Sequence, residues 1–288
     1  DEQHRLRVNH PQGCKHEAMI IRHDLKLVFV HVPKCAGKEL RKLFRLGAEG
    51  QSIELFNYGH SAALNRYVDY AHMPLSDLCT TKLFRYLERY RVVACVRDPY
   101  KRLPSAANEF YRQKSKRHER RVMEGTMTPA MRARYYRKLR LGHSQMDPRF
   151  IHSLPMHRFT HLGMEPMVDH LLHCEQLRDE AVQLSIQLNW PVAMREAAAG
   201  LPETDQAPHP QASECALANT LYARDFEWFG YPWDGRRHEP GGQPSETIDA
   251  GRAQWIHEAA ALAWHWGPTA QREERPSVPA CRKNPPVK

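Results

Sequence analysis

The sequence predicts an α/β fold, a parallel sheet flanked by helices. Three observations point there. Leu25 to Val32 (Leu-Lys-Leu-Val-Phe-Val-His-Val) is a β-rich, mostly apolar run, the profile of a strand buried on both faces. A short turn and a helical pattern follow it, and the same plan recurs around Arg91 to Val96. Strands alternating with helices form a layered sheet. At 288 residues the chain is long enough for one large core.

Each element follows from its residues. After the first strand, Pro33 to Gly37 is a turn, and Leu40, Leu43 and Phe44 recur at helical spacing over Lys38 to Leu46. Ser76 to Tyr90 is amphipathic, Arg91 to Val96 is a second strand, and Pro99 stands where a helix tolerates proline, at its start. Thr128 to Leu141 and Asp147 to Leu154 read as helices. Val168 to Cys174 is a third strand, with Asp179 to Leu188 as its helix. Leu201 to Gln211 carries three prolines and reads as a loop, and Ala212 to Phe229 reads as one long helix ending before Gly230. No internal repeat is present. The expected organisation is an N-terminal extension over 1–24, the main domain over 25–234, a linker and last helix over 235–266, and a Pro- and charge-rich disordered tail over 267–288.

Composition narrows the function. Lys+Arg 42 against Asp+Glu 33 gives a net charge of +9, which favours an anionic partner. The basic residues concentrate between Arg112 and Arg121, a stretch that reads as a docking site for a polyanion or as a solvated helix face. Global disorder is excluded by 41% hydrophobic residues, and no apolar run of 18 residues offers a membrane span. Asp1 to Arg7 shows neither an initiator Met nor a signal-peptide pattern, as in a trimmed or mature chain. Basic residues without interleaved aromatics argue against a nucleic-acid reader.

Metal chemistry is not expected. The seven cysteines include no C-x-x-C pair. Cys95 and Cys174 read as small buried hydrophobes, whereas Cys14, Cys215 and Cys281 stand in polar surroundings and could pair in an oxidising compartment. His257-Glu258 lacks the second histidine of a zincin helix, because position 261 is Ala261. His170 and His173 beside Cys174 fall on the expected third strand.

The turn Pro33-Lys34-Cys35-Ala36-Gly37-Lys38 joins strand to helix, the geometry that aims backbone N–H groups at an anion. Gly37 permits close approach and Lys34 adds a mobile cation; an ordinary turn whose lysine meets solvent is the alternative. A Walker loop is excluded twice, by Val32 where the first glycine belongs and by Glu39 where a Ser/Thr would hold magnesium.

Phe29 to Gly37 resembles the 5′-phosphosulfate loop of the Golgi-type carbohydrate sulfotransferases, the group that includes the chondroitin, dermatan, HNK-1 and heparan 2-O enzymes. Val93-Ala94-Cys95-Val96-Arg97-Asp98-Pro99 through Arg102-Leu103 to Ser105 is similar to their 3′-phosphate motif. Weaker likenesses follow in family order at Val168 to Leu177 and Tyr222 to Tyr231. The resemblance implies a P-loop-NTPase-like sulfotransferase fold and a PAPS (3′-phosphoadenosine-5′-phosphosulfate) donor bound by Lys34, Cys35, Ala36, Gly37, Lys38, Glu39, Arg97 and Ser105. It also implies PAP as product, a glycan acceptor, no metal, and a glycoprotein of the Golgi lumen; a cytoplasmic location and a small-molecule or protein acceptor are the alternatives. A nucleotide-dependent kinase or triphosphatase with a degenerate P-loop is the rival reading. Two departures stand out: Lys38 replaces the usual Ser or Thr after the glycine, and Pro155 is followed by Met156 where relatives often carry Gln.

Sulfuryl transfer requires an in-line hydroxyl, a base for its proton, and positive charge on the leaving phosphate. Lys34 is the cation. Histidine is the side chain whose ordinary pKa lies nearest neutrality. His72, between the two donor motifs, is the first candidate base, and the resemblance to the heparan 2-O enzymes favours it; His60 is the rival and Glu54 the acidic alternative.

Overall fold

A computed structural model describes residues 19–55, 58–61, 64–140, 148–202 and 210–233. The sheet is built on β2 (Leu27–Val30), β6 (Arg91–Val96) and β9 (His170–His173), which lie parallel, with Phe29 opposite Val93 and Cys95 opposite Leu172. All four β2 residues are buried, as are Val92 to Val96. Burying each such aliphatic or aromatic side chain contributes about 1.5–3 kcal/mol, so this strand pair anchors the domain.

Two strands that the sequence pattern does not announce complete the sheet. β1 (Met19–Arg22) pairs antiparallel with β2 and with β3 (Ser52–Leu55), giving the order β3-β1-β2-β6-β9. The sheet therefore reaches into the span read as an N-terminal extension. Arg22 explains why a charged residue can end β1. Its guanidinium is fully buried, pairs with Asp24 at 2.6 Å, and donates to the carbonyls of Phe44 and Leu46. Those are orphan acceptors at the C-terminus of α1 (Gly37–Arg45).

Between α1 and β6 run the hairpin β4 (Tyr58–Ser61) and β5 (Arg66–Asp69), a 3-10 turn at Tyr70–His72, and the helices α2 (Leu75–Leu78) and α3 (Phe84–Arg89). The amphipathic run 76–90 is thus two short helices. After β6 come α4 (Pro99–Lys114), α5 (Lys116–Met123) and α6 (Pro129–Arg140). Asp98 caps α4 by accepting from the Tyr100 amide, and Pro99 occupies the first turn as expected. Residues Pro148–Ser153 form a 3-10 helix rather than an α-helix, followed by α7 (His157–Thr160) and the short pair β7 (His161–Leu162) and β8 (Glu165–Pro166).

α8 (Leu177–Gln187) and α9 (Val192–Ala199) follow β9. The long helix expected over 212–229 is α10 (Ala212–Leu221) and α11 (Ala223–Trp228), broken at Tyr222. Tyr222 is buried, donates to the Ser153 carbonyl at 2.9 Å and lies beneath Arg102, so tertiary packing overrides helix propensity there. Cys215 is likewise buried in the aromatic core that joins α4, α6 and α10, not in polar surroundings, because helical periodicity turns it inward with Ala218. The expected last helix and tail, Cys14, Cys281 and His257 lie outside the described residues. No described helix is long and apolar enough to cross a membrane.

Candidate active site

The loop after β2 contains two residues in the left-handed region, Lys34 (φ 66°) and Ala36 (φ 53°). Such geometry costs on the order of 1–3 kcal/mol per non-glycine residue and persists only where the surroundings enforce it. Two arginines from the second motif do so. Arg102 is fully buried and donates its Nε–H to the Pro33 carbonyl at 3.0 Å, while Arg97 Nη1 reaches the Lys34 carbonyl at 3.3 Å. Among the described residues no hydrogen-bond acceptor meets Arg102 Nη1 or Nη2, although the guanidinium lies over the Tyr222 ring. Gly37 is required, since a Cβ there would overlap the His31 imidazole.

Lys34 points to α4. Its Nζ pairs with Glu109 at 2.9 Å, and Glu109 is also gripped by Arg112 and Gln113. Burial alone would raise the Glu109 carboxyl, but Lys34, His152 and Arg112 overcome it and hold the pKa down to about 2. Arg102, Ser105 and Glu109 are three and four residues apart and share one face of α4.

On the other side stands His72, buried, with Nδ1–H donating to Asp69 Oδ2 at 2.7 Å. Asp69 also accepts from the Ala71 amide and so caps the turn that carries its own histidine. Burial would raise the Asp69 carboxyl; His72 and, less strongly, His152 more than reverse this and hold it below the usual carboxylate range. The His72 ring lies 4.5 Å from His31, which rests on Gly37, and 5.0 Å from His152. The cation and the histidine therefore converge on one loop.

The two weaker motifs knit the rest together. Glu175 accepts from the Asp98 amide and from the Tyr231 hydroxyl, and Asp225 accepts from the amides of Met156 and His157 and from His157 Nδ1. Segments that family order puts far apart thus meet at the Arg-Asp-Pro turn and at Pro155-Met156-His157. Cys35, Cys95 and Cys174 are packed beneath the loop with Cys95 Sγ 3.6 Å from Cys174 Sγ, and burial pushes the Cys35 thiol well up.

Other residues singled out from the sequence lie elsewhere. Lys38 is exposed, and Glu39 is engaged by Lys42 on the outside of α1. His60 is exposed on β4, and Glu54 pairs with Arg45 at the β3 edge. Asp69, Glu109 and His152 were not anticipated. The Asp-x-x-His spacing at 69–72 is a local signal that could have revealed the first; the other two arrive only through tertiary folding. Among the described residues no cluster of three His, Cys, Asp or Glu could hold a metal ion.

A loop that carries a lysine, with a carboxylate-oriented histidine beside it at the carboxyl ends of the parallel strands, suits transfer of an anionic group to a hydroxyl. The sequence profile of the Sulfotransferase family matches residues 17–181, more than half of the chain, and the chain belongs to that family. No curated protein and no solved structure matches it.

Proposed function

We propose that the protein transfers a sulfuryl group from PAPS to a hydroxyl of a glycan, with His72 as the base. The observation that carries this reading is the meeting of the Asp69–His72 pair and Lys34 around His31 and Gly37. Asp69 fixes the neutral His72 with its proton on Nδ1, which leaves the basic lone pair on Nε2 for the acceptor hydroxyl. Lys34 is placed to neutralise charge developing on the bridging phosphate oxygen, releasing Glu109 as it does so. Loop amides and Arg97 would hold the donor's two phosphate ends, and the unsatisfied Arg102 donors and the left-handed loop fit an anion there.

The basic run at 112–121 supports an anionic glycan acceptor, and a Golgi-lumen setting follows from the resemblance to the carbohydrate enzymes. The test offers sulfur-35-labelled PAPS, and separately phosphorus-32-labelled ATP, with a panel of glycans, peptides and small alcohols. Label from PAPS should reach a glycan; transfer from ATP alone would overturn the reading. In calorimetry, Arg97→Ala should weaken PAP binding about 10- to 100-fold, the worth of a charge-assisted contact. Unchanged PAP affinity would remove Arg97 from the donor site.

A further inference from the structure

Two anions have a claim on Lys34. One is on the page: the side chain leaves the loop and crosses to α4, where Nζ meets Glu109 Oε2 at 2.9 Å. The other is the 5′-phosphate that the mechanism above assigns to the same ammonium. The two side chains are only 16% and 4% exposed, so the ion pair is largely withdrawn from water. There an ion pair resists separation more than it would at the surface, and a charge stripped of its partner is costly.

Glu109 can give up the lysine without becoming such a charge. Arg112 Nη2 donates to both of its oxygens, at 2.7 and 2.6 Å, and Gln113 Nε2 donates to Oε1 at 2.9 Å. Both partners stand three and four residues further along α4, on the face that carries Glu109, so helical geometry keeps them there. The backbone of Lys34 is fixed as well, by the contacts of Arg102 with the Pro33 carbonyl and of Arg97 with the Lys34 carbonyl. What is left to move is the lysine side chain, between a carboxylate that keeps its other partners and a phosphate in the loop.

We propose that Glu109 is a positioning residue that competes with the donor's 5′-phosphate for Lys34, so that tight binding requires an anion at the 5′ position to take the ammonium over. The proposal rests on the sulfuryl-transfer reading. Glu109 touches no reacting atom, and no covalent bond changes in the exchange. The measured affinity for PAPS or PAP is the intrinsic affinity reduced by the fraction of protein in which Lys34 is free of Glu109. A pair formed about nine-tenths of the time weakens binding about tenfold.

The test is calorimetry of PAP, and of adenosine 3′-phosphate, which lacks the 5′ group, on the wild type, Glu109→Gln, Lys34→Met and the double variant, well below their melting temperatures. Glu109→Gln should bind PAP about tenfold more tightly than the wild type and adenosine 3′-phosphate equally. In the Lys34→Met background the gain from Glu109→Gln should disappear. PAP affinity in Glu109→Gln equal to or weaker than that of the wild type would overturn the proposal. So would a gain that survives without Lys34 or extends to adenosine 3′-phosphate, since either marks the mere removal of a negative charge. A second measurement needs no Glu109 variant: the nitrogen-15 signal of Lys34 Nζ in the wild type, assigned with Lys34→Met. It should shift on saturation with PAP and stay in place with adenosine 3′-phosphate; a signal that PAP does not move would overturn the exchange. Neither measurement needs turnover. The exchange seen in a protein that transfers no sulfuryl group would refute only the reaction, and its absence in an active enzyme only the competition.

Discussion

Asp69, partly exposed, and Glu109, buried, show two different uses of a carboxylate. Asp69 fixes a tautomer: with Asn in its place, His72 Nδ1 can meet an amide N–H, the ring can flip its proton to Nε2, and the base proposed above loses its lone pair there. Asp69→Asn should therefore lower kcat by about 10²-fold or more while PAP affinity in calorimetry stays within twofold. An unaltered kcat would show that the pair does not position the base. Glu109 is held ionised, its pKa near 2 against an ordinary 4.5. A depressed carboxylate pKa contributes stability that is fully present above about pH 4.5 and is lost as pH falls through 2. Glu109→Gln should thus be less stable by roughly 3 kcal/mol near neutrality. The Tm gap from the wild type should stay flat above pH 5 and narrow from about pH 4.5 downward. A gap that held constant to pH 2.5 would count against the Lys34–Glu109 pairing.

The element that organises the site is the β2–turn–α1 unit, and its tightest point is Gly37 under His31. Gly37→Ala forces the imidazole or the loop aside, an overpacking worth typically 1–3 kcal/mol, and His31 in turn supports His72. PAP affinity should fall about tenfold or more and Tm should drop. Removing the obstruction in Gly37→Ala/His31→Ala should recover part of the lost affinity, a coupling that distant sites would not show. Simple additivity of the two changes would refute the contact. This unit, like β6–α4 and β9–α8, was legible in the sequence because strand, turn and helix are consecutive and each states its own periodicity. β1 and β3 were not, since no helix follows either directly and both are defined by pairing across the sheet. The break at Tyr222 was illegible for a related reason: its ring is fixed by Ser153 and Arg102, 69 and 120 positions away in the chain. The same limit hid Glu109 and His152, whereas Lys34, Gly37 and Arg97 stood in contiguous motifs.

At the scale of the whole molecule the charge is segregated. Residues 112–140 hold eleven Lys and Arg against two Glu, a net +9 equal to that of the entire chain. The sequence shows the excess; the fold shows its place. α5 buries no residue, and α4, α5 and α6 are contiguous, so the cations form an exposed face that joins the site through Arg112 and Glu109. His118, on α5, has its pKa lowered by desolvation and then by Lys114, Arg121 and Arg117. A polyanionic acceptor should be drawn to this face and released by salt, because exposed charges are screened over about 10 Å at 0.1 M ionic strength. Replacing Arg117, Arg120, Arg134 and Arg137 by Glu reverses four exposed charges that lie outside the loop and the histidine cluster. For a sulfated or uronate-rich glycan the KM should rise about tenfold or more at low salt, and its dependence on salt should flatten or invert. PAP affinity and turnover of a small neutral acceptor should be unchanged. Equal loss for neutral and anionic acceptors would mean that the substitutions damage the catalytic domain. An unchanged KM and salt slope for the polyanion would mean that the acceptor does not approach over the helical face.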